Sequence, residues 1–208
     1  MIDENLQKHF DNISAILENT GERVEGNLIC NVSSKNVEIN TNKEKIKNIQ
    51  KICRNKKKIC EIGVNAGHSL LLMLNENPHA EYFLFDDNYH GYTEICLNYI
   101  KSAYPKTKIN IIFGNSQITL PKFLIKNPEE INSFDFIHID GGHDNQTVLS
   151  DFINTIKMIN ENGICIFDDY NYHNIETILN YYINHNLISP ITDSISETNL
   201  HLVYERIK

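Results

Sequence analysis

An aspartate and a histidine stand three residues apart in the segment FIHIDGGHDN, residues 136–145. Asp140 closes an apolar run, and Gly141-Gly142 leads from it to His143. Histidine exchanges a proton near neutral pH and a carboxylate accepts hydrogen bonds, so the two side chains have the groups that acid–base chemistry needs. Aspartate and glycine are also ordinary turn residues, and the segment taken alone fits a simple turn equally well. The rest of the chain must decide between the two interpretations.

Short apolar runs alternate with segments of helical spacing from residue 59 onward, and two further strands are expected in the tail ISPITDSISETNLHLVYERI. This alternation predicts an α/β fold with a mostly parallel sheet and helices on both faces. The apolar runs are ICEIGV, EYFLFD, INIIFG, FDFIHID and GICIFDD, and the helices that follow them are expected near residues 67–77, 92–103, 117–127, 144–160 and 172–185.

The first 58 residues are predicted to be helical instead. Apolar residues at helical spacing indicate one helix over residues 5–20, and Ile46, Ile49 and Ile52 lie along one side of a second. The sequence contains no internal repeat and no low-complexity linker. We therefore expect one domain over residues 1–208, with an N-terminal helical cap (1–58) and a sheet core (59–208).

Composition excludes several classes of function. A net charge of −8 argues against general nucleic-acid binding, because such proteins are usually basic. The five cysteines form no CxxC pair, which favours reduced thiols in the cytosol. No segment is apolar enough for a membrane span, and the N-terminus lacks the apolar core of a signal peptide. These features predict a cytoplasmic protein.

In a parallel sheet of this kind, ligands bind outside the carboxyl ends of the strands. The first apolar run ends in EIGVNAGHS, where Gly63 and Gly67 bracket a loop that opens a helix. Glycines let the backbone approach a ligand, and a helix N-terminus favours a negative group. Asn65 replaces the middle glycine of the GxGxxG loop that binds dinucleotides, so a smaller ligand is expected.

The next strand ends suit a nucleoside. Asp86 follows the glycine loop by roughly 20 residues, the usual distance of an acid that binds ribose hydroxyls. After the third run, Gly114 lets a flat ring lie close, and Asn115 or Ser116 can bond its edge. Asn115 or Ser116 can equally well be the N-cap of the following helix.

Together the strand ends EIGVNAGHS, LFDD, GNSQ, FDFIHIDGGH and GICIFDDY resemble those of the class I S-adenosylmethionine-dependent methyltransferases. More narrowly, they resemble the small-molecule O-methyltransferases related to catechol O-methyltransferase, the macrocin-type sugar O-methyltransferases and the cephalosporin-hydroxylase-like proteins grouped near them. The resemblance covers residues 59–170 well. It implies a Rossmann-like, doubly wound, seven-stranded sheet and an enzyme that uses S-adenosylmethionine, but it does not specify the acceptor.

The resemblance also implies a set of cofactor-binding residues. The end of the first apolar run and the loop after it would hold the methionine part of the cofactor, through Glu61, Gly63, Asn65, Gly67 and Ser69. Asp86 would bind the ribose, and Asn115 and Ser116 would flank the adenine. Asp140 would lie beside the methionine end. Many relatives carry Asp or Ala at the position of Asn115.

By the same resemblance, Asp140, Asp168 and Asp169 would bind a divalent metal ion, although catechol-type relatives have Asn at the position of Asp169. Three carboxylates suit magnesium or manganese, and without a cation they would repel one another. His143 falls where these families hold their general base, and Asp140 is the second residue implied in catalysis. In the simpler alternative, Asp168 and Asp169 form a turn and His143 is a solvated loop residue.

The function expected from the resemblance is divalent-metal-assisted O-methylation of the hydroxyl of a small molecule. One alternative is a metal-independent methyltransferase with the same cofactor site. Another is a cofactor-binding partner protein without activity of its own. An iron-dependent oxygenase ranks lower, because no clear 2-His-1-carboxylate cluster is seen in local sequence. The acceptor and any homo-oligomeric state are left open.

Overall fold

The computed structural model describes residues 2–22, 43–193 and 195–207. In these ranges, helices and strands alternate after two N-terminal helices, close to the segments expected from the sequence. The helices are α1 (Glu4–Thr20), α2 (Lys43–Cys53), α3 (His68–Glu76), α4 (Gly91–Ala103), α5 (Ser116–Lys126), α6 (Asn145–Met158) and α7 (His173–Asn184). The strands are β1 (Lys58–Ile62), β2 (Glu81–Asp86), β3 (Ile109–Phe113), β4 (Phe134–Ile139), β5 (Ile159–Asp168), β6 (Ile188–Pro190) and β7 (His201–Arg206).

The strands form one seven-stranded sheet in the order β3-β2-β1-β4-β5-β7-β6. The strands β1 to β5 run parallel to one another, whereas β7 is antiparallel to both β5 and β6. The chain order reverses between β1 and β4, so a crevice opens at their carboxyl ends, where ligands bind in folds of this type. The predicted Rossmann-like, doubly wound and mostly parallel sheet is confirmed.

Helices cover both faces of the sheet, and each face has its own apolar core. The helices α1, α2, α3 and α4 pack on the first face, and α5, α6 and α7 pack on the second. Successive residues of β4 alternate between them, since Phe136 belongs to the first core and Ile137 to the second. The N-terminal helices therefore share the core of the first face.

The ends of α1 are set by local chemistry. Asp3 is the N-cap, and its carboxylate accepts a hydrogen bond of 2.8 Å from the backbone N–H of Leu6. Gly21 ends the helix in the left-handed conformation, with φ of 69°. The apolar residues in between recur at helical spacing and are buried: Leu6, Phe10, Ile13 and Leu17.

A buried histidine joins α1 to α3. His68 is the first residue of α3, is 4% exposed and stacks on Phe10, with ring centroids 5.9 Å apart. Burial lowers the pKa of His68 to about 4, because the interior disfavours the charged imidazolium. The folded protein therefore keeps this side chain neutral.

The ends of β1 and β4 are in direct contact at Gly63. The backbone N–H of Asp140 donates to the carbonyl of Ile62 over 2.8 Å, and Gly63 has φ of +78°. A Cβ atom at residue 63 would lie 1.9 Å from the carbonyl oxygen of Asp140. Only glycine fits here, so the loop after β1 and the end of β4 cannot move independently.

None of the helices in the described ranges is long and apolar enough to span a membrane. Within the same ranges Cys53, Cys60, Cys96 and Cys165 are buried free thiols, while Cys30 lies outside them.

The folded protein should lose stability as the pH falls from about 6.5 to about 4. In that window His68 is protonated in the unfolded chain but not in the folded chain. A difference of one bound proton makes the free energy of unfolding fall by about 1.4 kcal/mol for each pH unit. Chemical denaturation across this pH range should show that the free energy of unfolding of His68→Leu depends less steeply on pH than that of the wild type. The exposed His79→Leu is the matched control, and equal slopes for His68→Leu and wild type would contradict the assignment.

Gly63→Ala and Gly21→Ala should differ strongly in stability although both residues have positive φ. A Cβ at residue 21 meets nothing within 4 Å, so Gly21→Ala should cost only the left-handed strain of about 1–2 kcal/mol. Gly63→Ala adds a backbone overlap, for a total of about 3–5 kcal/mol. Urea denaturation measures both, and similar losses would show that the contact with Asp140 relaxes freely.

Candidate functional site

A cavity of about 550 Å³ opens at the carboxyl edge of the sheet. Its volume lies within the roughly 300–1,000 Å³ that is usual for small-molecule sites. Most strand-end residues singled out from the sequence line it, whereas Glu61, Gly67, Ser69 and Asp168 are not part of its lining. The lining includes Gly63, Asn65, Asp86, Asp87, Gly114, Asn115, Ser116, Asp140, Gly141, Gly142, His143 and Asp169.

Asp86 holds the loop that follows β1. One oxygen of its carboxylate accepts hydrogen bonds from the backbone N–H groups of Val64 (2.9 Å) and Asn65 (2.8 Å). The other accepts from the N–H of Asn88 over 2.8 Å. The residue expected at the ribose is thus also the anchor of the glycine loop, and the exposed Asp87 beside it adds a second carboxylate to the cavity.

Three strand ends are followed by residues other than glycine with left-handed backbone. Asn65 after β1, Asn88 after β2 and Asp169 after β5 have φ of 52°, 57° and 56°. Asparagine and aspartate tolerate this conformation better than other side chains because their short polar groups can hydrogen-bond locally. The conformation lets these turns keep a polar side chain where glycine would leave none.

The end of β3 has the helix cap that the sequence left as an alternative. The side chain of Asn115 accepts a hydrogen bond of 2.8 Å from the N–H of Gln117. Ser116 hydrogen-bonds to Asp151 of α6, a buried acid that sequence reasoning missed. Burial raises the pKa of Asp151 to about 7, and the hydrogen bond from Ser116 opposes that shift. Asp151 lies beneath Gly141, where a Cβ would come within 2.7 Å of its carboxylate.

His143 and Asp169 form a hydrogen-bonded pair on the cavity wall. The Nε2 of His143 lies 2.7 Å from the Oδ2 of Asp169, and its ring packs on Tyr172 with centroids 4.7 Å apart. The hydrogen bond that the imidazole of His143 donates to the carboxylate of Asp169 raises the pKa of His143 despite partial burial. Burial is the largest influence and acts to raise the pKa of Asp169, but the hydrogen bond and charge of His143, together with the charges of Lys45 and His138, leave that pKa lowered.

Asp140 and Asp168 come together as expected, but with different neighbours. A ligand atom of each lies within 4.8 Å of one on His138, a buried residue of β4. The Nζ of Lys45, from α2, lies 2.6 Å from the Oδ2 of Asp168, and both side chains are buried. Burial and the neighbouring Asp168 carboxylate raise the pKa of Asp140 to about 7.

A buried polar chain runs behind the cavity. The hydroxyl of Ser69 donates to the carboxylate of Glu61, and the Nδ1 of His138 lies 3.0 Å from the same Glu61 oxygen. The Nε2 of His138 makes no hydrogen bond in the described part of the chain and faces Asp168 at 4.0 Å. Glu61 and Ser69, expected at the cofactor, here hold His138.

Lys45 and His138 were missed by sequence reasoning, although each has a weak signal. Lys45 stands four residues before Ile49, so it falls on the apolar side of α2. His138 stands two residues after Phe136 in an apolar run, so it shares the buried side of β4. A charged or titratable residue on a buried stripe is the signal that points to a buried partner.

Comparison with known proteins assigns the family. A family model described as a methyltransferase domain matches residues 60–170, which is more than half of the chain. A comparison of the sequence with curated proteins finds no match. The matched segment contains the ends of β1 to β5 that line the cavity.

Solved structures with the same fold have little sequence identity to this chain. A provisionally assigned caffeoyl-CoA O-methyltransferase from Staphylococcus aureus is 15% identical, with a TM-score of 0.65 over 98% of this chain and 100% of that one. The TDP-rhamnose 3′-O-methyltransferase of calicheamicin biosynthesis is 12% identical, with a TM-score of 0.62 over 98% and 95%. Cofactor-bound Rv0187 from MTB is 12% identical, with a TM-score of 0.66 over 96% and 89%. The chain therefore belongs to the methyltransferase-domain family, and its fold is that of the class I S-adenosylmethionine-dependent methyltransferases.

Proposed function

We propose that the protein binds S-adenosylmethionine in the strand-end cavity and methylates a hydroxyl oxygen of a small molecule. The observation that carries this proposal is the His143–Asp169 pair on the wall of that cavity, beside Asp140. In a methyltransferase domain, a paired histidine next to the cofactor site is suited to remove the proton of an acceptor hydroxyl.

The residues around the cavity fit the cofactor. Gly63 and Asn65 line the cavity, and Asp86 and the exposed Asp87 offer carboxylates to ribose hydroxyls. Asn115 and Ser116 would flank the adenine, and the loop 63–69 would hold the methionine end. When bound, S-adenosylmethionine supplies an electrophilic methyl group on a positively charged sulfur. The protein must then hold the acceptor oxygen in line with that group and away from water.

The His143–Asp169 pair supports a role in proton transfer. The carboxylate of Asp169 accepts from the Nε2–H of His143, which leaves Nδ1 as the ring nitrogen that can take a proton. A carboxylate in this position fixes the tautomer of the imidazole and stabilises the cation that forms. The pair thus gives Asp169 a role different from the metal ligand implied by the family resemblance.

Ligand atoms of His138, Asp140 and Asp168 lie close enough together to hold a metal ion, but the contacts of the acids argue against the expected site on three aspartates. Asp168 is bound by the ammonium of Lys45, and Asp169 is bound by His143, which leaves Asp140 alone of the three. The metal-assisted form of the reaction, with magnesium or manganese on Asp140, Asp168 and Asp169, stays a prediction. We favour the metal-independent form of the reaction. The acid–base group that it needs, His143, is already paired with Asp169, and the ammonium of Lys45 is already paired with Asp168.

The acceptor class is proposed from the names of the structural neighbours. The names of two structural neighbours specify O-methylation, one of a caffeoyl thioester and one of a sugar nucleotide. A cytoplasmic small molecule with a phenolic or sugar hydroxyl is therefore the class to test first. The alternative of a non-catalytic partner protein predicts tight cofactor binding with no turnover on a broad acceptor panel.

Calorimetry should show binding of S-adenosylmethionine and of S-adenosylhomocysteine, and Asp86→Ala should weaken it. Loss of one charge-assisted hydrogen bond costs about 1.5–3 kcal/mol, or roughly 10–100-fold in affinity. Because Asp86 also anchors the loop after β1, thermal unfolding of the variant must be measured alongside. Asp11→Ala, at an exposed acid of α1, is the control. Failure of the wild type to bind either compound would overturn the proposed function.

His143→Ala should lower turnover by about 10²–10⁴-fold, the usual contribution of a general base, with little change in affinity for S-adenosylhomocysteine. Asp169→Asn should lower turnover as well, because it removes the group that orients the imidazole. Release of S-adenosylhomocysteine with phenolic and sugar acceptors measures the rate. His173→Ala, an exposed histidine of α7, is the control. If His143→Ala kept full turnover, His143 would not be the general base and would be an ordinary loop residue.

A further inference from the structure

A buried lysine stands among the acids at the ends of β4 and β5. Lys45 lies in the first turns of α2, its side chain is 9% exposed, and its Nζ is 2.6 Å from the Oδ2 of Asp168, which is 2% exposed. A lysine is seldom buried to this extent unless a carboxylate pairs with its charge. Burial acts to lower the pKa of Lys45, but the carboxylates of Asp168, Asp140 and Asp169 together outweigh it and leave that pKa raised.

The helix that carries Lys45 is fixed in place by its neighbours. On the same helix, Asn48 donates to the backbone carbonyl of Ser196 over 2.8 Å and accepts from its N–H over 2.7 Å. The side-chain amide of Asn48 also lies 2.9 Å from the Nε2 of His201, and Ile49 is fully buried. The ammonium is therefore presented by a packed helix and does not belong to a surface side chain that contacts the acids by chance.

We propose that Lys45 is the resident cation of the acid cluster and takes the place that a divalent metal ion would need. The Oδ1 of Asp168 accepts a hydrogen bond of 2.9 Å from the backbone N–H of Asp169, and the ammonium contacts Oδ2, so both oxygens are engaged. A metal ion on Asp168 would have to share the buried Oδ2 with the ammonium, and the two cations would repel each other. Asp140 lines the cavity, whereas Asp168 and Lys45 lie outside its lining. Lys45 is thus a positioning residue that neutralises and orients the acids from behind.

Manganese alone is the probe that tests this proposal, because the ion reports its own binding in electron paramagnetic resonance. Wild-type protein should leave the signal of free manganese unchanged at millimolar ion, and its melting temperature should not rise. Lys45→Met keeps the length of the side chain and removes its charge, so it should bind about one ion per chain and melt at a higher temperature when manganese is added. Lys47→Met, at an exposed lysine of the same helix, should behave like the wild type.

The double variant Lys45→Met/Asp168→Asn separates the ion pair from general damage. It removes both charges, so it should be more stable than Lys45→Met alone and should lose the manganese affinity that the single variant gains. Manganese binding by the wild type that Asp168→Asn abolishes would overturn the proposal, whether or not Lys45→Met folds. So would a folded Lys45→Met that binds no manganese.

Only the catalytic consequence rests on the proposed function. A methyltransferase whose acids are neutralised by Lys45 should keep its turnover in EDTA. A protein that binds no S-adenosylmethionine would refute the proposed function and leave the manganese result unchanged. A protein that turns over only with added divalent ion would refute the role of Lys45 and leave methyl transfer standing.

Discussion

Parallel strands place their carboxyl ends at one edge of a sheet, and this constraint positions the loops and side chains around the cavity. The strands β1 to β5 run side by side, so five loops that are distant in sequence meet around one cavity. The order of strands reverses between β1 and β4, and there the loop of Gly63 is pressed against the carbonyl of Asp140. The loop after β1 and the end of β4 are therefore packed against each other at the cavity.

That convergence creates an electrostatic problem, because it concentrates carboxylates where water is scarce. Two contacts reduce the repulsion between these carboxylates. Lys45 of α2 pairs with Asp168, and His143 pairs with Asp169. Such pairs need not increase stability, since removing ions from water costs about as much as their attraction returns. For the buried pair of Lys45 and Asp168 we expect a larger effect on specificity, because a charged Lys45 favours the packing of α2 that places Asp168 beside it.

Much of the architecture was predictable because it depends on local patterns. The alternation of apolar runs and helical segments is repeated along residues 59–190, and each run matched a strand of the sheet. Strand-end acids were found for the same reason, but their partners were not. Asp169 and His143 were assigned separate roles because the sequence does not show how far apart the loops after β4 and β5 lie. Lys45 is one of several lysines in its segment, and only the packing of α2 distinguishes it.

The left-handed residues at the strand ends have a consequence for how this protein can change. Asn65, Asn88 and Asp169 each hold a conformation that glycine adopts without strain, so glycine at any of them would relax the backbone. At Asn65 and Asp169 the same exchange would remove a polar side chain from the cavity lining, including the carboxylate that holds His143. Backbone strain and the polar lining of the cavity are thus opposed at these two positions. Selection for heat resistance alone would favour glycine there and would leave the cavity with fewer polar groups.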